Sequence, residues 1–252
     1  MRAPYPDIVF HFTKREGLYG IIKDSSFKLS YAKENIEYIS NFKEFAIPIV
    51  AFCDLRISEL PFHMKKYGNF GIGLTKEWAQ ENGLNPVAYM NKKSELTNNL
   101  IEAIEHQFKL IENPDDPLDD ENRNIYFKTL NVLRYIKNYE GILIRNNKRS
   151  PKTYRFADER EWRYVLPFVD EYFLNSFASI KLLDEKGKTW LNNTIDSHRL
   201  NFSPSDIKYI IVPNEKNIRP IRTHIENEVF DDKDKQHLLT RILTAAQIKL
   251  DM

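Results

Sequence analysis

Arg155-Phe156-Ala157-Asp158-Glu159-Arg160-Glu161-Trp162-Arg163-Tyr164-Val165 is the stretch on which the reading of this chain turns. It crowds charges and aromatic rings into a segment that otherwise reads as a strand. Side chains alternate across a strand, so Glu159, Glu161 and Arg163 are expected on one face and Arg160, Trp162 and Tyr164 on the other. One face would pack and the other would carry chemistry. Two readings of the charged face stay open: a site, or a solvated ladder of ion pairs. Exposed pairs contribute only about 0–1 kcal/mol each, a modest reason for such density.

The segments around it supply the rest of an α+β chain. Asp7 to Phe12 reads as a short buried strand. Thr13 and Glu16 have capping-box spacing for the helix that carries Leu18, Ile21 and Ile22. His11 then sits where a strand hands over to a helix N-terminus, a place suited to an anion or nucleotide, although a satisfied core histidine is the plainer reading. Phe27, Leu29 and Tyr31 alternate as a strand. Ile47 to Asp54 reads as a central strand with Pro48 near its start, and Cys53 within it as a buried structural thiol. Asp54 to Lys66 is a polar connection ending in a short helix. In Tyr67-Gly68-Asn69-Phe70-Gly71-Ile72-Gly73-Leu74-Thr75, Gly68 suits a turn. Gly71 and Gly73 would let a backbone or a ligand approach a strand.

Residues 94–140 change character. Leu96, Leu100, Ile101, Ile104, Phe108 and Ile111 recur at helical spacing, as do Ile125, Thr129, Val132, Leu133, Ile136 and Tyr139. The acidic, proline-punctuated run 113–121 between them lacks EF-hand spacing. Leu182, Leu183, Trp190 and Leu191 are candidate anchors in a weakly patterned region. Ser205 to Pro213 is the clearest strand. Helices follow around Ile221–Glu228, with Pro220 near the first turn, and over Asp234–Ala246. The expectation is a single α+β domain over 1–252, with a mixed or antiparallel central sheet and a helical hairpin, 94–140, inserted in it.

Composition narrows the partners. Thirty-seven Lys and Arg against 36 Asp and Glu leave a formal charge of +1, so no global field points to nucleic acid or membrane. The only cysteine is Cys53, which excludes an internal disulfide and a cysteine-based zinc site. The six histidines show no zinc-ligand spacing, and no metal is expected. No run of about 18 apolar residues suggests a membrane span, and the N-terminus lacks a signal-peptide core. A cytoplasmic protein is expected. Lys148, Arg149, Lys152 and Arg155 form a small basic patch able to touch phosphates.

Several segments together resemble a known family. They are His11-Phe12-Thr13 before the Leu-x-x-Ile-Ile helix, Ile47-Pro48 to Phe52-Cys53-Asp54, His63 to Leu74 with its glycines, Pro86-Val87-x-Tyr89, and Asp158 to Val165. In this order they look like the AbiGi family of abortive phage-resistance proteins over nearly the whole chain. That family carries the label of antitoxin, partner of an AbiGii toxin. More distantly, His11-x-Thr13 is similar to the first motif of DarT-like and His-Tyr-Glu ADP-ribosyltransferases. The segment ending at Tyr67 is similar to the second motif, and Glu159-x-Glu161 to the third.

The distant resemblance implies an ADP-ribosyltransferase-like fold that binds NAD as substrate and moves ADP-ribose to a nucleic-acid or protein target. Glu161 and Glu159 would be catalytic, and His11, Thr13 and Tyr67 would hold the dinucleotide; Arg163, Arg160, Lys152 and the helix after Thr13 are candidate donors to its ribose and pyrophosphate. Breaking a nicotinamide–ribose bond needs a carboxylate near developing positive charge, which the glutamate pair could supply. The nearer resemblance implies instead a non-catalytic antitoxin or regulator that binds a cognate toxin protein. A third reading is a phosphotransferase or nuclease using His11 and the basic patch.

Overall fold

The strand Glu44–Cys53 is apolar on both faces, and every residue from Phe45 to Val50 is buried. Such a strand must lie inside a sheet covered on both sides. In a computed structural model of the chain, which describes residues 6–36, 44–111, 120–145, 148–167, 175–228 and 230–250, it does. The sheet runs Ile242–Thr244, Ile207–Val212, Phe70–Thr75, Ile8–Thr13, Glu44–Cys53, Glu161–Val165, Asn85–Pro86, and Ser30–Asn35 also pairs with the 44–53 strand. Ile242–Thr244 runs parallel to Ile207–Val212; the other pairings in this sheet are antiparallel among the described residues. The architecture is α+β with a mixed central sheet.

The sheet is split at its centre. Ile8–Thr13 pairs along its whole length with Phe70–Thr75, from Ile8↔Thr75 to Thr13↔Phe70. It meets the 44–53 strand at one position, Phe10↔Cys53. Ser30–Asn35 takes up the other half of that strand, from Ser30↔Ile49 to Asn35↔Glu44. Val50, Ala51 and Phe52 lie between the two pairings and line a cleft.

Three apolar clusters hold this frame. Val9, Leu18, Ile22, Phe27, Phe52 and Trp78 fill one. Phe10, Phe12, Cys53, Leu60 and Met64 fill the second, and Phe45, Ile47, Ile104, Leu133 and Ile136 the third. A fully buried side chain of this size contributes roughly 1.5–3 kcal/mol. Gly71 and Gly73 make room for rings rather than for a ligand: a Cβ would lie 2.8 Å from the Phe12 ring and 2.7 Å from the Phe10 ring.

The inserted hairpin is a crossover. Helices Glu95–Ile111 and Asp120–Leu133 connect two short parallel strands, Ala88–Met90 and Ile136–Asn138. The second helix therefore ends before the expected boundary, and Ile136 to Asn138 leave the helical pattern to pair in a sheet. Residues 112–119, most of the acidic run, lie outside the described residues.

Other local expectations change. Thr13 is no cap: it is still in the strand, paired with Phe70, and the N-cap is Lys14, without a side-chain bond. Pro48 lies mid-strand, beside the end of the Glu161–Val165 pairing at Val165↔Ile49. The last helix is broken into Asp232–Leu239, the strand Ile242–Thr244 and Ala245–Leu250, because the apolar 242–244 segment pairs with the 207–212 strand. Of the proposed anchors only Leu191 is buried; Trp190 is 61% exposed.

Candidate functional site

The 155–165 stretch is not one strand. Phe156–Glu159 forms a short 3-10 turn, Arg160 takes a left-handed φ of 42°, and the strand begins at Glu161. Strict alternation therefore does not relate Glu159 to Glu161. Trp162 and Tyr164 still pack on the first apolar cluster. Arg160 instead reaches Glu59 on the surface, at 3.4 Å.

The two glutamates are brought together by a residue from elsewhere. Lys137, on the strand returning from the hairpin, donates to Glu159 Oε2 at 3.0 Å and to Glu161 Oε2 at 2.8 Å. Arg163 Nε donates to Glu161 Oε1 at 2.6 Å, Nη2 to Glu34 Oε1 at 2.8 Å and Nη1 to the Arg134 carbonyl at 2.8 Å. Tyr67 donates to Glu159 Oε1 at 2.6 Å, and Tyr154 to the same oxygen at 3.1 Å. All of these carboxylates are buried, and Arg163 is 0% exposed. The arrangement is an interior network, which removes the solvated ladder.

Burial sets the charges. Burial alone would raise the Glu161 carboxyl, but the charges and hydrogen bonds of Arg163 and Lys137 outweigh it and bring its pKa down to about 2. Burial opposes the Lys137 ammonium, yet Glu161, Glu34 and Glu159 hold it charged, well above its ordinary range. Glu34 is raised, chiefly by burial, with Arg163 and Lys137 only partly compensating. Of Glu34 and Glu161, Glu34 is therefore the first to take up a proton as pH falls. Its raised value means that the ionised form disfavours folding above that value, and that the penalty fades as pH falls toward the ordinary carboxylate range. Glu34→Gln is accordingly expected to unfold no more easily than the parent at pH 8, with any advantage shrinking by pH 5. Urea unfolding at both pH values checks this, and a loss of several kcal/mol at pH 8 would contradict it.

The cleft in the sheet split has a volume of about 880 Å³, within the usual range for small-molecule sites. His11, Thr13, Phe27, Tyr67, Glu159 and Glu161 are on its walls. His11 Nδ1 lies 2.8 Å from the Ala51 carbonyl. A carbonyl can only accept, so Nδ1 carries the proton. Burial lowers the imidazole pKa, so the ring is neutral and Nε2 is an acceptor. Thr13 stands at the start of the Arg15–Asp24 helix, and Gly17 leaves room for its hydroxyl. Tyr67 stacks on His63 one helical turn earlier, with centroids 4.3 Å apart. Burial, then the neighbouring Glu159, push its phenol far above the usual range.

Arg163 does not line the cleft. Its guanidinium is used up by Glu161, Glu34 and a carbonyl, so it orients a carboxylate from behind. Lys137, Glu34, Tyr154 and His63 were not singled out from the sequence as parts of the site. The alternation Tyr135-Ile136-Lys137-Asn138-Tyr139, which places one lysine between buried Ile136 and Asn138, is the signal that could have found Lys137. Cys53 is buried and its thiol is pushed up, chiefly by burial, as befits a structural residue. Among the described residues no group of His, Cys, Asp and Glu could hold a metal ion. No helix among them is long and apolar enough to cross a membrane.

A mixed sheet split over a cleft, with a buried carboxylate–lysine–tyrosine network in its wall, defines an α+β protein with a candidate small-molecule site. Residues 20–213 match the model of the family described as "Putative abortive phage resistance protein AbiGi, antitoxin". The chain is also 30% identical over 244 residues to the abortive phage resistance protein AbiGi of Lactococcus lactis subsp. cremoris, covering 88% of this chain and 97% of that protein. The chain belongs to the AbiGi family of abortive phage resistance proteins. No solved structure matched it.

Proposed function

We propose that this phage-resistance protein binds NAD in the split-sheet cleft and transfers ADP-ribose to a macromolecular target, on an ADP-ribosyltransferase-like fold. The observation that carries the reading is the meeting of His11, Thr13, Tyr67, Glu159 and Glu161, from three distant segments, on one cleft. Nε2 of neutral His11 accepts a ribose hydroxyl. Tyr67, in the cleft wall, packs against the nicotinamide ring. The amides at the start of the Arg15–Asp24 helix suit the pyrophosphate. The ribose–nicotinamide bond breaks with its electron pair going to nicotinamide, and the ionised carboxylate of Glu161 stabilises the positive charge left on the sugar. The target's nucleophile forms the new bond to the sugar carbon and gives up its proton to solvent.

Labelled NAD, incubated with the protein and with nucleic-acid and protein fractions from host cells, tests this. Glu161→Gln is expected to lower label transfer by about 10²-fold while the fold is retained. If saturating NAD gives neither thermal stabilisation nor released nicotinamide, the reading fails.

The family's antitoxin label supports a second reading, a non-catalytic partner of a toxin protein. Apolar side chains on the hairpin favour it: Leu96 is 69% exposed and Val132 51%, an arrangement found at protein interfaces. Co-expression with a toxin separates the two readings. Protection that survives Glu161→Gln would make binding, not transfer, the protective event.

A further inference from the structure

A second cleft, of about 420 Å³, lies on the far side of the carboxylate network. Tyr67 and Glu159 stand in the walls of both clefts. His11 and Glu161 line the first and not the second, and Lys33, Lys137 and Arg149 line the second and not the first. The two spaces thus present different chemistry across a shared wall.

The carboxylates of the second cleft are already engaged. Glu34 accepts from Arg163, and Glu159 accepts from Tyr67, Tyr154 and Lys137. Their charge is answered from within the protein, whereas the Arg149 guanidinium stands exposed at the rim. Beside it lie Phe156, Ile142 and Leu143. Phe156 has Lys137 Nζ 5.3 Å from its ring centroid and meets Tyr154 edge-on at 5.2 Å. Cations beside an aromatic and aliphatic floor match a phosphate joined to a planar base: the cations take the oxygens and the floor takes the ring.

We infer that the second cleft is a separate binding site for a nucleoside monophosphate unit, with Arg149 on the phosphate, Lys33 joining it by exchanging its ion pair with Glu44 at 2.8 Å, and Phe156 under the base. The site does not depend on NAD binding in the first cleft. Nucleotide binding here would press on Tyr67 and Glu159, which also line the first cleft, so the two sites would be coupled.

Titration of the whole protein with adenosine 5′-monophosphate, adenosine and inorganic phosphate tests the site. The monophosphate should bind at least ~10-fold more tightly than either part alone, since it alone uses both cations and floor. A short single-stranded oligonucleotide forms a second arm: tighter binding than the mononucleotide identifies nucleic acid as the source of the unit, and weaker binding identifies the free nucleotide. Arg149→Glu should weaken mononucleotide binding by about tenfold or more, and Lys233→Glu, an exposed charge reversal elsewhere, should not. Amide NMR signals of residues 33–35, 137–138 and 149 should move on titration. Unchanged affinity in Arg149→Glu, or shifts confined to residues 11–13 and 26–32, would overturn the inference. A protein without NAD binding that still passes these tests would refute the transferase reading and leave this site standing.

Discussion

Arg163→Met is expected to lower the unfolding free energy by about 3–5 kcal/mol at pH 7, the usual cost of leaving buried charges unpaired. The guanidinium has no exposed surface, and its removal takes the side-chain donor from Glu34 and the Arg134 carbonyl and leaves Glu161 with Lys137 alone among the described partners. The pH dependence is the sharper part of the expectation. Glu161 is held at about 2 instead of its ordinary 4.5, a difference on the order of 3 kcal/mol to which Arg163 and Lys137 both contribute. A depressed carboxyl stabilises the fold above the unfolded value, and that stabilisation is lost as pH falls through 4 toward 2. The gap between parent and variant should therefore be widest above pH 5 and narrow in acid. Urea unfolding across pH 3–8 measures it. A gap that stays constant with pH would mean that packing, not charge, sets the cost.

Lys137→Met is expected to cost about 3 kcal/mol, through a different carboxylate. Glu161 keeps Arg163 in this variant, but among the described residues Glu159 is left with the hydroxyls of Tyr67 and Tyr154. The penalty should accordingly be coupled to Glu159. In the double variant Lys137→Met with Glu159→Gln, most of the loss should be recovered, giving an interaction energy of about 1–3 kcal/mol. Chemical denaturation of the two single variants and the double variant closes this cycle. Strictly additive losses would show that Lys137 does not act by neutralising Glu159.

Much of the frame was legible because apolar runs report burial directly. The strands around Val9, Val50 and Ile210 and the two hairpin helices follow from that rule. What failed was local competition that the pattern does not record. Thr13 has the chemistry of a cap, but the ladder with Phe70 keeps it extended. Ile242 to Thr244 fit a helical stripe, yet the edge of the 207–212 strand claims them. The site followed the same division. Glu159 and Glu161 stood out by composition, and His11 and Tyr67 by their resemblance to known motifs. Lys137 comes from a strand reached only after the hairpin, so nothing near Glu159 in the sequence announces it. Arg163 has the chemistry of a pyrophosphate donor, and alternation does place it beside Glu161, but behind that carboxylate and away from the cleft.

The single pairing of Phe10 with Cys53 has a further consequence. Where two strands part, each offers the other a margin of amide and carbonyl groups, and here the Ala51 carbonyl is met by an imidazole instead of by a backbone amide. A molecule lying in that gap can be gripped by main chain. Main-chain recognition is indifferent to which side chains decorate the strand. A contact of that kind would survive side-chain changes along the strand, so long as the opening between the two strands keeps its width.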